Sequence, residues 1–274
     1  MYKLIALDMD GTLLTSEKTI SERTKEAIKQ ARAQGTKVVL ASGRPLDGMQ
    51  ASLKELDLVS DNEFVVYFNG SMVKELGSNK IIHQATIDGH KAKQVAALAR
   101  ELGLFCHAFS AVHGLITPED NEYTAIESRI NQLPVTEMSF DSLEDDHSII
   151  KAMIVGEPTK LSEAIAQISP EIRSEFTVVQ SAPFFLEFLS LDSNKGVGVS
   201  AIAEYLGIKA SEVICVGDAE NDHHMIEYAG LGVAMDNAMT QTKRIADYIT
   251  DSNNEDGVAK VIEKFCLPSL RTSK

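Results

Sequence analysis

Two kinds of hydrophobic patterning alternate along the chain. Leu4-Ile5-Ala6-Leu7, Val38-Val39-Leu40-Ala41, Phe64-Val65-Val66-Tyr67-Phe68 and Val213-Ile214-Cys215-Val216 are apolar runs without alternation, each ending abruptly. Such runs predict strands buried on both faces, as in a parallel sheet covered by helices. Ser21 to Gln34 carries helix formers and Gly35 follows as a stop, so strand, helix and strand imply a right-handed crossover. After Asn69-Gly70, a turn signal, Ser71-Met72-Val73 and Lys80-Ile81-Ile82-His83 predict a hairpin. The parallel pattern returns late in the chain, with a helix from Gly198 to Leu206 before the Val213 strand. A further strand is expected at Leu231 to Met235, a last helix capped by Asp256-Gly257 runs to about Phe265, and the tail Pro268 to Lys274 is expected to be loose.

From about residue 85 the order changes. A helix at Gly89 to Leu102, an apolar segment Leu104 to Phe109 and a helix around Pro118 to Asn131 come first. A strand at Ile149 to Val155, a helix at Thr159 to Ile168, and the segments Phe176 to Val179 and Phe184 to Leu189 follow. The last pair, joined by a short Ser-Ala-Pro turn, reads as antiparallel. The expected fold is α/β: a Rossmann-like parallel-sheet core of residues 1–84 and 190–274, with an α+β domain of residues 85–189 inserted into it. A length of 274 residues suits two domains.

Chemistry gathers where the core strands end. Asp8 and Asp10 are two residues apart, so on an extended backbone they point the same way, and Gly11 lets the chain turn beyond them. Paired carboxylates at a buried strand end call for positive charge, and a hard divalent cation, Mg²⁺ by default, suits oxygen ligands. A second acidic strand end follows at Gly217-Asp218, with Asn221 and Asp222 expected on the first turn of the next helix. Ser42-Gly43-Arg44 emerges at the same carboxyl edge of a parallel sheet, where open α/β folds bind ligands, and its hydroxyl and N–H groups suit a phosphate oxygen. Asn69 reads as a turn residue, and its place on the same strand-end edge is also compatible with proximity to a ligand.

Taken together, Asp8-Met9-Asp10-Gly11-Thr12, Ser42-Gly43-Arg44, Asn194-Lys195-Gly196, Gly217-Asp218 with Asn221-Asp222, and Val233-Ala234-Met235-Asp236-Asn237-Ala238 resemble the motifs of the haloacid dehalogenase-like hydrolases, specifically their Cof-type phosphatases. The resemblance covers both halves of the core, and the insert matches that group's cap in size and place. It implies that Asp8 is the nucleophile and Asp10 the general acid and base, with Lys195 balancing charge. It places Ser42, Gly43, Arg44, Asn194 and Asn221 around the phosphate, and Mg²⁺ on Asp8, Asp218, Asp222 and the main-chain carbonyl of Asp10. The implied activity is Mg²⁺-dependent hydrolysis of small phosphorylated metabolites, sugar phosphates above all, through a phosphoaspartate. Since these groups read only phosphate and metal, the insert is expected to close over the site and select a polar, sugar-sized group, with contacts between Phe109 and Glu122 and around Ser181 to Phe184. His223-His224 departs from the group, which carries apolar or small residues there.

Composition narrows the partners. A formal net charge of −14 repels polyanions, so no nucleic-acid partner is expected, while a small anionic substrate remains compatible with a local cationic pocket. No apolar run is long enough to span a bilayer and no signal region precedes the first strand, so the expected location is cytoplasmic, with no membrane partner. Cys106, Cys215 and Cys266 lack metal or disulfide spacing, and His107, His113 and His147 lack ligand spacing. Two other readings remain. Gly196-Val197-Gly198-Val199-Ser200-Ala201 fits the dinucleotide pattern G-x-G-x-x-A of an NAD-binding oxidoreductase, although Ser190 to Lys195 separate it from the preceding strand. A non-catalytic metal- and anion-binding module would use the same acidic strand ends without turnover.

Overall fold

The computed structural model describes residues 2–268; the expectation for the tail beyond Pro268 lies outside them. The chain divides into two compact units, one formed by 1–42, 49–83 and 194–274, the other by 43–48 and 84–193. The short segment 43–48, read from sequence as part of the core, therefore groups with the insert.

In the first unit, β1 (Leu4–Leu7) leads to α1 (Glu22–Ala33), which Ser21 caps by accepting a hydrogen bond from the Thr24 N–H. β2 (Lys37–Ala41), α2 (Gln50–Glu55), β3 (Phe64–Tyr67), β4 (Met72–Glu75) and β5 (Ile81–Gln84) follow. In the second unit the order is α3 (Gly89–Glu101), β6 (Phe105–Ser110), β7 (Gly114–Thr117), α4 (Glu122–Asn131), β8 (Val135–Glu137), β9 (Ile149–Val155), α5 (Pro158–Gln167), α6 (Pro170–Glu175), β10 (Thr177–Ala182) and β11 (Phe185–Leu189). The chain then returns to the first unit through α7 (Lys195–Tyr205), β12 (Val213–Gly217), α8 (His223–Tyr228), β13 (Leu231–Ala234), α9 (Thr240–Ile245), β14 (Tyr248–Ile249) and α10 (Gly257–Phe265).

The sheet of the first unit runs β14-β13-β12-β1-β2-β3-β4-β5. Its strands are parallel from β14 to β3, and β4 is antiparallel to β3. β1 lies between β12 and β2, with Leu4 opposite Val213 on one side and Lys37 on the other. Parallel pairing brings the residues after β1, β2, β3 and β12 to one carboxyl edge. Leu4, Ala6, Val39, Ala41, Phe64, Val66, Val213 and Cys215 pack with Val199, Ile202 and Ala203 of α7 and Met225 of α8 in one apolar layer. Burial on both faces explains why these strands lack alternation.

The second unit is a sheet of order β10-β11-β9-β6-β7-β8, antiparallel except where β7 meets β8. One face packs on α3 and α5 through Ala92, Val95, Ala108, Ile154, Leu161 and Phe188. The other face carries Lys151, which is buried and bonded to Glu187 at 2.8 Å with Glu127 3.9 Å away. His107 is buried between Thr124 Oγ1 at 3.0 Å and Met153 Sδ at 3.2 Å. Burial, with Lys151 adding to it, pushes the imidazole down to about 3.

Three local readings differ from the structure. The helix expected from Gly198 begins three residues sooner, because the Asn194 side chain accepts the Val197 N–H at 2.9 Å and so caps it. Asn221 and Asp222 lie on a 3₁₀ turn, Glu220–Asp222, that precedes α8. Asp256, at φ 60°, makes no side-chain capping bond to α10; its carboxylate accepts from Ser21 Oγ at 2.6 Å instead.

Candidate active site

β1 stops at Leu7, although the Asp8 N–H still donates to the Val216 carbonyl at 3.0 Å, and Asp10 forms an isolated bridge with Leu14 as the chain turns. Asp8 is buried; the Asp10 side chain is 40% exposed, with its Oδ1 2.8 Å from Lys18 Nζ. The turn is closed by Leu13 N–H donating to the Asp8 carbonyl at 3.1 Å. Gly11 sits at φ 88°, and a Cβ there would stand 2.5 Å from Asp218 Oδ2, so only glycine lets the turn approach the second acidic strand end.

Lys195 joins the two ends. It is fully buried as the first residue of α7, and its Nζ lies 2.5 Å from Asp8 Oδ1 and 2.7 Å from Asp222 Oδ1. Asp222 Oδ2 accepts the N–H groups of Asp218 at 2.8 Å and Ala219 at 3.0 Å. Asp218 in turn accepts from Thr12 Oγ1 at 2.9 Å. Asp8, Asp218 and Asp222 each offer a carboxylate oxygen, all within 4.8 Å of one another. Both Asp222 oxygens also accept from protein donors, which ties Lys195 to the β12 turn.

The electrostatics are those of a site short of positive charge. Burial pushes the Asp8 carboxyl well above the usual range; Lys195 opposes this, and Asp222 and Asp218 add to it. Asp218 is pushed up to about 6 by burial and by Asp222, against Thr12 and Lys195. Burial works against the Lys195 charge, but Asp222 and Asp8 outweigh it and hold the ammonium above its ordinary value. Three carboxylates against one ammonium leave an excess of two negative charges, and an all-oxygen donor set with that excess fits a hard divalent cation.

The remaining candidates spread around this cluster. Ser42 is buried directly after β2, its N–H donating to the Val66 carbonyl at 2.9 Å. Asn221 Nδ2 donates to Asn69 Oδ1 at 3.0 Å, so Asn69, read as a turn residue, enters the site through a partner 152 positions away. The Asn194 side chain is occupied in capping α7. Gly43 and Arg44 group with the second unit, where Arg44 Nη1 donates to the Gly48 carbonyl at 3.1 Å. His223 Nε2 lies 2.9 Å from Thr242 Oγ1.

The glycines of the dinucleotide-like stretch lie inside α7 and serve close packing. A Cβ on Gly196 would stand 2.6 Å from the His224 carbonyl oxygen, and one on Gly198 would stand 2.5 Å from Val66 Cγ1. They form no phosphate-binding turn after a strand, so the NAD reading loses its geometry.

A sequence profile described as haloacid dehalogenase-like hydrolase matches residues 5–262. The chain belongs to that family. It is 39% identical over 269 residues to YxeH of Bacillus subtilis, covering 97% of this chain and 99% of YxeH. It is 32% identical over 267 residues to 5-amino-6-(5-phospho-D-ribitylamino)uracil phosphatase YcsE of the same organism, covering 97% of this chain and 96% of the relative. Among solved structures, a haloacid dehalogenase-like hydrolase from Bacteroides thetaiotaomicron superposes with a TM-score of 0.83 at 33% identity, over 96% of this chain and 99% of that one. The subclass IIB sugar phosphatase BT4131 superposes with a TM-score of 0.79 at 25% identity, over 96% and 98%. This haloacid dehalogenase-like chain is accordingly a phosphatase. Among the described residues no helix is long and apolar enough to cross a membrane.

Proposed function

We propose that the chain is a Mg²⁺-dependent phosphatase of small phosphorylated metabolites, with sugar phosphates the preferred class, working through a phosphoaspartate on Asp8. The observation that carries this reading is the buried Lys195 ammonium between Asp8 and Asp222, with Asp218 beside them. A carboxylate approaching a phosphate dianion meets repulsion of about 4 kcal/mol per pair of unit charges at 4 Å in a protein-like dielectric, roughly a thousandfold in rate. Lys195 offsets part of that while holding the Asp8 oxygen in place. Asp8 and Asp218, with the main-chain carbonyl of Asp10, would hold the cation, which supplies charge neutralisation on the phosphate oxygens.

Asp8 attacks phosphorus and forms the P–O bond as the ester bond to the leaving alcohol breaks, and Asp10 gives that alcohol its proton. Asp10, now ionised, takes a proton from water, whose oxygen attacks phosphorus; phosphate leaves and Asp8 is regenerated. Ser42 and Asn221 bind the phosphate. Recognition of the leaving group is assigned to the second unit, since the groups named here serve phosphate and cation.

The test is a screen of phosphorylated compounds with Mg²⁺, run on the wild type and on Asp8→Asn. Turnover of sugar phosphates by the wild type and none by a folded Asp8→Asn is expected. Near wild-type rates in Asp8→Asn would refute the covalent reading, and a nucleotide or aryl preference would refute the substrate class.

A further inference from the structure

The turn after β3 is held in a conformation the chain adopts reluctantly. Phe68, Asn69 and Gly70 are three successive left-handed residues, at φ 50°, 53° and 91°. A bulky aromatic at positive φ is a genuine outlier, and such backbone persists only where its surroundings over-determine it. Those surroundings come from three other segments of the same unit. The Asn69 N–H donates to the Ser42 carbonyl at 3.0 Å, tying the turn to the end of β2. The Asn69 Oδ1 accepts from Asn221 Nδ2 at 3.0 Å, tying it to the turn after β12. At Gly70 a Cβ would stand 2.0 Å from the Asn194 carbonyl oxygen and 3.1 Å from the Lys195 N, so the turn lies flat against the start of α7. Asn69 itself is only 4% exposed.

We propose that Asn69 is a positioning residue of the phosphate site: it fixes Asn221 and the Ser42 backbone with one side-chain and one main-chain hydrogen bond. This rests on the phosphatase reading above. With one N–H of the Asn221 amide given to Asn69 Oδ1, the other is oriented for a phosphate oxygen. A side chain at this position must both accept that bond and tolerate left-handed backbone. Asparagine does both, since it enters that region more readily than other non-glycine residues.

The backbone and side-chain parts separate by substitution. Asn69→Gly keeps the left-handed conformation and removes only the amide, whereas Asn69→Ala removes the amide and strains the backbone. Each would be made alone, and Asn69→Gly also together with Asn221→Ala. The readouts are kcat and KM on the best sugar phosphate, inhibition by inorganic phosphate, and the melting temperature. Expected is a loss of about tenfold in kcat/KM for Asn69→Gly, the worth of one hydrogen bond, with weaker phosphate inhibition and a melting temperature near wild type. The double variant should be no worse than Asn221→Ala alone, because Asn69 acts through Asn221. Wild-type kcat/KM in Asn69→Gly beside an impaired Asn221→Ala overturns the proposal, as do additive losses in the double variant. If Asn221→Ala is itself unimpaired, both the proposal and Asn221's assignment to phosphate fall, while turnover lost in Asp8→Asn still supports the phosphatase reading.

Discussion

Replacing Asp222 tests whether it ligates the cation or supports the site from behind. Its Oδ1 meets the Lys195 ammonium at 2.7 Å and its Oδ2 meets the N–H groups of Asp218 and Ala219, so every partner is a donor. Asp222→Ala leaves a fully buried ammonium with Asp8 as its remaining carboxylate and strands two N–H groups. Removing one partner of a buried ion pair costs about 3–5 kcal/mol, and an orphaned N–H about 1–3 kcal/mol. Because Asp8 keeps part of the charge balance, a net loss of about 4 kcal/mol is expected. At roughly 2–4 °C per kcal/mol for a domain of this size, the melting temperature should fall by about 8–16 °C. Asp222→Asn should rescue little, since its NH₂ would face donors on whichever side it is placed. Calorimetric melting in chelator gives the stability, and titration calorimetry with Mg²⁺ gives the affinity. A strut predicts a large melting shift with modest loss of affinity in whatever protein remains folded. An Asp222→Ala protein that melts like the wild type but binds Mg²⁺ as poorly as Asp218→Ala would refute the reasoning and make Asp222 a direct ligand.

Asp10→Asn, on an aryl phosphate with a good leaving group, should show a burst of phenol followed by slow turnover, because formation of the phosphoenzyme needs little protonation there; equal loss in both phases under rapid mixing would make Asp10 structural. For Asp218 the folded-state pKa of about 6 lies above its ordinary 3.8. Without cation its folded state binds more protons than the unfolded one, so this residue's contribution to stability falls as pH rises from about 4 to 6, by up to about 3 kcal/mol. Mg²⁺ affinity should rise across the same window as the ligand sheds its proton. Melting curves of wild type against Asp218→Asn in chelator check the first, and an affinity flat between pH 5 and 7 would refute the second. His107 behaves oppositely: depressed from 6.5 to about 3, it contributes stability fully above 6.5 that is lost as pH falls toward 3, up to about 5 kcal/mol. His107→Gln should flatten the acid limb of the second unit's unfolding, and an unchanged limb would exclude the histidine as its cause.

What the sequence alone determined was five of the parallel strands, the two-residue β14 going unread, and the acidic chemistry where they end. Strands buried on both faces read as unbroken apolar runs, and a motif such as Gly217-Asp218 falls where such a run stops, so both signals are local. The antiparallel insert was legible for its long helices, for β6 and β9 and for the β10–β11 pair, but β7 and the three-residue β8 carry too few apolar positions to declare themselves. Tertiary structure decided what each charged group faces. Lys195 meets Asp8 across 187 positions, Asn221 meets Asn69 across 152, and Lys151 meets Glu187 across 36. Asp222, a metal-ligand candidate in the sequence, accepts from the Lys195 ammonium 27 positions away and from the N–H groups of Asp218 and Ala219, four and three positions before it. Asp8 and Asp10 look equivalent as letters; the turn at the end of β1 buries one and leaves the other beside Lys18. Carboxylates of one type differ in pKa and role through burial and partners, and both are set only when distant segments close on one sheet edge.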